Sequence, residues 1–292
     1  MHGALQRAVV GTAVAAGPAH GAAQRVGRAA TVALYEELAL YPKPGLVSFI
    51  DRGSHADMDA TTFMRSLFAL RRYFPQAAAL GAQQAGFDAL ERLGIDAERR
   101  MLCATGGVNT HRGAVFTLGL LCASAGAVLA QGGRCTPAAL RAALRHGWGA
   151  ALQARCARPR SSAGQRVTQQ HGLRGASEEA ALGLPVLFEV AVPALRQALA
   201  RGLAVRAARL EALFHVIAVL DDTNLAHRGG LPGLRYAQRA AANFLAAGGA
   251  AQADASAQAE AIHREFVARR LSPGGAADVL AAACWVQRVC AD

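Results

Sequence analysis

The only lysine of this chain is its first candidate for chemistry. The sequence contains 30 arginines but one lysine, Lys43, within the segment PKPG (residues 42–45). An ammonium group is compact and rotatable, so a planar guanidinium does not replace it at every site. The flanking prolines restrict the backbone on both sides. We expect Lys43 to hold an anion, and Glu36 and Glu37 stand just before it in the sequence.

A segment with alternating carboxylates follows. Residues 53–59 read GSHADMD, and acids spaced in this way beside a histidine suit a hard divalent cation such as Mg²⁺. We predict Asp57 as a magnesium ligand. Asp59 has a second interpretation, because an aspartate before an apolar-periodic run also caps a helix.

Two adjacent acids, Asp221 and Asp222, occur within LDDTNLAHRGG (residues 220–230), after an apolar helical run. The C-terminal end of a helix disfavours negative charge. A metal ion or a cationic partner would relieve this repulsion, so we predict Asp222 as a second magnesium ligand.

Two glycine-rich segments resemble anion-binding turns. TGGVNTHRG (residues 105–113) precedes a long apolar run, and SPGG (residues 272–275) precedes the last helical pattern. Free N–H groups at the start of a helix attract anions, and Arg112 would add a fork of donors. Neither segment has the spacing of a Walker A loop.

The formal charge of +11 is concentrated in residues 99–177, which hold 11 arginines and no Asp or Glu. Such a field attracts anions. Few aromatic residues interleave with the arginines, so nucleic acid fits less well than a polyanionic small molecule. A non-catalytic nucleotide- or RNA-binding protein using this surface remains the alternative.

The elements that position these residues are predicted to be helices. The chain is rich in Ala and Leu and has no convincing period-two run, which favours an all-α domain of about ten to eleven helices over residues 22–292, after a flexible extension at 1–21. We predict a mobile loop at 157–172. Residues 114–130 are apolar enough to approach a membrane span, but a core helix is the better interpretation.

The periodicity predicts helices at 22–41, 60–74, 76–92, 96–104, 112–131, 137–156, 177–200, 204–221, 233–247, 254–270 and 275–290. The six cysteines form no CxxC pair, as expected for reduced thiols in a cytoplasmic protein.

Taken in order, five motifs resemble the triphosphoribosyl-dephospho-CoA synthase family. They are PKPGLV (42–47), GSHADMD (53–59), TGGVNTHRG (105–113), LDDTNLAHRGG (220–230) and SPGGAADVL (272–280). The resemblance spans about residues 30–290. The phrases SFIDRGSH and GLRGASEEA are closer to the malonate decarboxylase branch than to the citrate lyase branch.

The resemblance implies an all-helical transferase that joins ATP to 3'-dephospho-CoA and releases adenine. The product is the precursor of the prosthetic group of the decarboxylase's acyl carrier protein, and a separate transferase attaches it. Mg²⁺ is expected to accompany the ATP triphosphate. The resemblance implies a cytoplasmic enzyme with no nucleic-acid or membrane partner, and a homo-oligomer is possible.

Site residues follow from the same resemblance. We expect the triphosphate at Lys43, Arg112 and the glycine turns, and ribose or adenine at Asn109 and His111. The carboxylate that acts as base is left open among Glu36, Asp221 and Asp222. The full set of predicted substrate-binding residues is Lys43, Gly106, Gly107, Asn109, Thr110, His111, Arg112, Asn224, Ser272, Gly274 and Gly275.

Two positions depart from the citrate lyase branch. That branch has Lys where this chain has Arg112, which implies that either cation suffices there. It also has an Arg where this chain has Ser177, so an arginine function cannot be carried over to that position. Arg174 is a candidate substitute.

Overall fold

The computed structural model describes residues 18–157 and 170–291, and the regular structure in these ranges is entirely helical. The helices are α1 (Pro18–Leu38), α2 (Ala60–Leu70), α3 (Tyr73–Ala82), α4 (Phe87–Ala104), α5 (Arg112–Ala130), α6 (Pro137–Cys156), α7 (Ala176–Ala181), α8 (Val192–Ala200), α9 (Val205–Val219), α10 (Thr223–Ala246), α11 (Ala255–Ala268) and α12 (Gly274–Val289). A π-helical turn, Val186–Ala191, precedes α8, and a 3₁₀ turn, Gly249–Ala251, follows α10. The predicted all-α fold class is confirmed.

Several helix starts follow from local chemistry. Asp59 caps α2, and its carboxylate accepts the Thr62 N–H at 2.9 Å. The Thr62 side chain in turn accepts the Asp59 N–H, which completes a capping box. Thr136 accepts the Ala139 N–H at 3.1 Å, and Pro137 occupies the first helical position of α6. The capping interpretation of Asp59 is therefore confirmed.

Helix α5 lies at the centre of the core. Twelve of its residues are buried, and it is the one helix in the described part of the chain with the length and hydropathy of a membrane span. Most of that span, 72%, is covered by protein. The interpretation of residues 114–130 as a core helix is confirmed.

Helices α3 and α5 pack with almost no gap between their backbones. A Cβ atom added to Gly126 would lie 1.9 Å from the Ala78 carbonyl oxygen, and one added to Gly81 would lie 1.9 Å from the Ala123 oxygen. Glycines on both helices thus permit a backbone contact that any side chain would block.

Some predicted boundaries are wrong. Helix α1 begins at Pro18 and ends at Leu38, whereas the predicted helix covers 22–41. The predicted helix 177–200 is interrupted between α7 and the π-helical turn, where Gly183 and Leu184 have positive φ values. Helix α10 is divided by a kink at Gly230 (φ 62°, ψ −170°). The part after the kink corresponds to the predicted helix 233–247, and the part before it, which Asp222 caps, was not predicted. The predicted loop 157–172 lies mostly outside the described residues.

The arginine-rich segment 99–177 is not a uniformly cationic surface. Within its described part, 99–157 and 170–177, at least five arginines pair with carboxylates from outside the segment, so part of the charge concentrated in sequence is neutralised in space. The pairs are Arg99–Asp96 (3.0 Å), Arg112–Glu98 (3.1 Å), Arg141–Glu189 (2.6 Å), Arg155–Glu91 and Arg174–Glu179 (3.0 Å).

Candidate active site

The polar segments, far apart in sequence, contact one another in the fold. Ser54 Oγ donates to the Leu271 carbonyl oxygen at 2.5 Å. The Asp222 carboxylate accepts the Ala276 N–H at 2.9 Å. The structure therefore brings together the loops before α2, α10 and α12, and the residues below join the start of α5 to them.

Lys43 faces inwards. Its side chain is 1% exposed, and its Nζ donates to the Glu37 backbone oxygen at 2.8 Å and to the Glu37 carboxylate. Burial lowers the pKa of Lys43 and raises that of Glu37, while their mutual attraction opposes both shifts. The ammonium is thus paired internally and is not presented to an anion from solvent, contrary to our expectation.

His111 lies beside this pair and is 3% exposed. Its Nδ1 is 2.6 Å from Ser66 Oγ, and its ring packs edge-on against Phe63. Burial, assisted by the charge of Lys43, lowers the pKa of His111 to about 3. The imidazole is therefore neutral, and its buried Nε2 has no hydrogen-bond partner. Thr110 Oγ1 is likewise buried without a partner.

Asp278 is a site residue that sequence reasoning did not single out. A Cβ added to Gly113 would lie 2.0 Å from Asp278 Oδ2, so the carboxyl group lies directly against the first turn of α5. It also lies close to the backbone N–H of Ala114, whose influence lowers its pKa. Burial and the nearby charges of Glu37 and Asp222 raise the pKa of Asp278 well above its usual range. Asp278 is part of the motif SPGGAADVL, but it was not selected because it lies within a helical pattern.

Asp222 has a structural role that our prediction missed. Helix α9 ends at Val219, and Asp222 is the N-cap of α10, so the prediction that this acid ends a helix is wrong. Its Oδ1 accepts the N–H groups of Asn224 (2.9 Å) and Leu225 (3.3 Å), and its Oδ2 accepts that of Ala276 (2.9 Å). The carboxylate therefore caps α10 and α12 together, at helix ends that favour negative charge.

Both oxygens of the Asp222 carboxylate thus accept backbone N–H groups, and the residue is 1% exposed. These contacts occupy the carboxylate with helix capping in a buried position. We therefore withdraw Asp222 as a magnesium ligand and as a base. The hydrogen bond from Ala276 to Asp222 also uses an N–H group next to the predicted phosphate-binding turn, so this donor is not free for a phosphate. Gly274 is the first residue of α12 and lies against the side-chain amide of Asn224, which is otherwise exposed.

Buried Ser272 is the inner end of a row of three polar side chains that reaches the exposed Arg228. Arg228 Nη2 lies 3.0 Å from His55 Nδ1, and His55 Nε2 lies 2.9 Å from Ser272 Oγ. Arginine only donates, so Nδ1 accepts and Nε2–H donates to the serine. Burial and Arg228 lower the pKa of His55, in agreement with a neutral ring. Although Ser272, His55 and Asp57 follow the order of a hydrolytic triad, this tautomer cannot take the serine proton.

Glu36 is engaged elsewhere. Its Oε1 contacts Arg209 Nη2 at 2.7 Å and also pairs with Arg288, so it links α1 to α9 and α12. Its neighbour Glu37 is the acid that meets Lys43. The structure thus pairs Glu36 with arginines of two other helices, and it is Glu37 that contacts Lys43.

The 105–113 segment divides into two parts. Gly106 and Gly107 have φ values of 66° and 90° and terminate α4, with the Gly107 N–H bonded to Leu102 oxygen at 2.8 Å. They are not the start of α5, as our anion-binding interpretation required. Asn109 Oδ1 accepts the Arg112 N–H at 3.1 Å, and the Arg112 side chain is 44% exposed and paired with Glu98.

The predicted magnesium ligands do not form a metal site. Asp57 is 61% exposed, whereas Asp222 is buried and accepts three backbone N–H groups. Asp221 is half-buried and accepts the Arg174 N–H at 3.2 Å. Within residues 18–157 and 170–291, no group of three or more His, Cys, Asp or Glu side chains is arranged to hold a metal ion. The residues therefore do not fit a magnesium ion held by the protein alone.

Comparison with known proteins gives a consistent assignment. The model of the family described as ATP:dephospho-CoA triphosphoribosyl transferase matches residues 23–292. A protein of Acinetobacter calcoaceticus named probable 2-(5''-triphosphoribosyl)-3'-dephosphocoenzyme-A synthase is 38% identical, over 91% of each chain.

A synthase of the same name from Pectobacterium atrosepticum, without the word probable, is 40% identical, over 88% of this chain and 85% of its own. No solved structure matches significantly. The extent of these matches, together with the five motifs that converge on the buried polar site, shows that this chain is a transferase and belongs to the ATP:dephospho-CoA triphosphoribosyl transferase family.

Proposed function

We propose that this chain transfers the 5-triphosphoribosyl group of ATP to the 2'-hydroxyl of 3'-dephospho-CoA, with release of adenine, at the site around His111 and Asp278. The observation that supports this site is the unpartnered Nε2 of buried His111. Unpaired buried polar atoms are costly, and they persist where a ligand completes them. Family membership leaves the non-catalytic alternative without support.

The reaction needs one acid and one base, and two groups here have pKa values shifted in opposite directions. Burial raises the pKa of Asp278, which favours its protonated form, while burial lowers the pKa of His111 to about 3, so its imidazole is neutral. Such a pair assigns the proton transfers. Asp278 donates to adenine as the C1'–N bond breaks, and His111 Nε2 accepts the proton of the attacking hydroxyl as the C1'–O bond forms.

Charge development supports the same arrangement. Loss of adenine places positive charge on the ribose, and Asp278 becomes a carboxylate once it has given up its proton. The Lys43–Glu37 pair acts on His111 through charge, because Lys43 adds to burial in lowering the pKa of the imidazole. His111 Nε2 is shielded in the unliganded protein, so the chain that covers it has to shift when substrate enters.

The remaining predicted contacts are kept as part of this proposal. Arg112 has an exposed side chain bound to Glu98 through Nε, which leaves its terminal nitrogens for the triphosphate. Asn109 and Thr110 lie on the same turn as His111 and are proposed to bind ribose. Mg²⁺ would arrive with the triphosphate and reduce its charge, and Asp57 is the predicted ligand whose carboxylate is exposed.

The direct test is to incubate the purified protein with ATP, Mg²⁺ and 3'-dephospho-CoA and to separate the products by chromatography. We expect free adenine and a product that retains the three phosphates. Formation of ADP or pyrophosphate instead would contradict the proposal. His111→Gln should abolish adenine release, while His146→Gln, at an exposed histidine on α6, serves as the matched control.

We further propose that the product serves malonate decarboxylase, on the basis of the SFIDRGSH and GLRGASEEA phrases, and that a separate cytoplasmic transferase attaches it to the acyl carrier protein. Citrate lyase is the alternative recipient. Deletion of the gene in its host should remove the prosthetic group from the decarboxylase carrier protein, as measured by mass spectrometry. Loss from the citrate lyase carrier protein alone would reverse this choice.

A further inference from the structure

A hollow of about 400 Å³ opens between α2, α3 and α4, and three arginines line it. Arg71, Arg72 and Arg100 share this hollow with Ala69 and Gln76. We call it the arginine hollow. No acidic residue lines it, so three positive charges face a common space without a counter-charge.

The arginines of the hollow have no acidic partner among the described residues. In the described chain none of the three forms an ion pair, although Arg71 Nη1 donates to the Phe68 carbonyl oxygen at 2.7 Å. Arg99, the immediate neighbour of Arg100, is paired with Asp96 at 3.0 Å. Like charges that share a hollow repel one another, and a bound anion would relieve this repulsion.

The chemistry of the donors indicates the class of anion. Guanidinium groups bind phosphates through two parallel hydrogen bonds, and several of them favour a ligand with several phosphate groups. The volume lies within the range of about 300–1,000 Å³ that is typical of small-molecule sites. A chain of phosphates therefore suits this space better than a single carboxylate.

The hollow is connected to the reaction site through two helices. On α2, Ser66 contacts His111 and lies three residues before Ala69, which corresponds to roughly 4.5 Å along the helix axis. On α4, Met101 Sδ accepts the His111 N–H at 3.3 Å and directly follows Arg100. The helices that hold His111 thus also form the wall of the hollow.

We infer that the arginine hollow binds the phosphate chain of a substrate, either the triphosphate of ATP or the diphosphate of 3'-dephospho-CoA. This inference rests on the proposed function for the identity of the ligand. It assigns binding residues that none of the five sequence motifs contains. It also places the phosphates away from Lys43, because the ammonium group of Lys43 is already paired with Glu37.

The test uses inorganic triphosphate as probe and the full-length protein. In calorimetric titration, the Kd for triphosphate should be about tenfold higher for Arg100→Ala and for Arg72→Ala than for the wild type. Arg99→Ala is the matched control, because it removes a neighbouring arginine that does not line the hollow, and it should leave the Kd unchanged. Equal thermal unfolding of all variants would verify that they fold.

Steady-state kinetics then distinguish the two sources of phosphate. If ATP occupies the hollow, Arg100→Ala raises the KM for ATP about tenfold and leaves the KM for 3'-dephospho-CoA unchanged. The reverse pattern identifies the second substrate, and either result supports the inference. Unchanged triphosphate affinity and unchanged KM values for both variants would overturn it. Absence of adenine release would contradict the proposed function alone, because the triphosphate titration does not depend on turnover.

Discussion

Lys43 donates to both the backbone oxygen and the carboxylate of Glu37, and both side chains are almost completely buried. Lys43→Met leaves an uncompensated carboxylate in the core, so we expect the free energy of unfolding to fall by about 3–5 kcal/mol. Urea denaturation measures this loss. The double variant Lys43→Met, Glu37→Leu should recover most of it, because the carboxylate is removed as well.

The same pair explains why lysine persists at this position. A guanidinium carries five donors, and Lys43→Arg would bring several of them without acceptors into a buried site. We expect Lys43→Arg to lose stability and adenine release together. Activity and unfolding like those of the wild type would contradict the importance that we give to an ammonium here.

His111 should make stability depend on pH. Its pKa is about 3 in the folded chain and about 6.5 when unfolded. Between these values the unfolded state binds more protons, so stability is fully present above pH 6.5 and is lost as the pH falls towards 3. The loss amounts to about 1.4 kcal/mol per pH unit within that window.

His111→Asn should flatten this dependence, as measured by urea unfolding at pH 7, 6, 5 and 4. His146→Asn should retain the wild-type slope. The raised pKa of Asp278 acts in the opposite direction, since it costs stability as the pH rises above about 3.8. The difference between the two histidine variants isolates the contribution of His111, and equal slopes would show that His111 is not held neutral.

Gly113 should be required for the position of Asp278. A methyl group at residue 113 would lie 2.0 Å from the Asp278 carboxylate, so Gly113→Ala displaces the proposed acid. We expect adenine release to fall about 10²–10⁴-fold, as for loss of a general acid, and Asp278→Asn to show a similar loss. Gly147→Ala has open space around its Cβ and is the control. Full activity of Gly113→Ala would exclude Asp278 as the acid.

Asp222→Ala should reduce the stability of the protein but not its activity, because Asp222 has a structural role. It removes the acceptor from the starts of α10 and α12, and each lost cap costs about 1 kcal/mol, so we expect a loss of roughly 2–4 kcal/mol. The activity per folded molecule and the magnesium dependence of adenine release should stay close to the wild type. Asp221→Ala, at the adjacent half-buried acid, should cost much less stability. A changed magnesium dependence in Asp222→Ala would restore it as a metal ligand.

Local sequence signals predicted the helices well where the responsible contacts are local. The caps at Asp59 and Thr136 and the uniformly apolar α5 needed no information from distant residues. The error at Asp222 arose because two acids after an apolar run can end one helix or begin the next. The short spacer between α9 and α10 decided this, and so did the donor from Ala276, which is distant in sequence.

The site was harder to predict because it depends on how the helices are rotated. Adjacent residues on a helix differ by about 100° in direction, so Glu36 and Glu37 face different neighbours, and only tertiary packing selects the one that meets Lys43. Asp278 was not recognised because its carboxyl group is placed by a contact with Gly113, 165 positions away in the sequence. The motifs therefore identified the segments that form the site, but only the fold shows which side chains in them contact one another.

The glycine contact between α3 and α5 also limits how this protein moves. With Gly81 and Gly126 each directly against a carbonyl group of the opposite helix, neither helix can slide or rotate without a backbone collision. The two helices must therefore behave as one rigid body, and His111, at the beginning of α5, is anchored to it. Any opening that admits substrate belongs to the loops around this rigid body, which bring the substrate to a fixed imidazole.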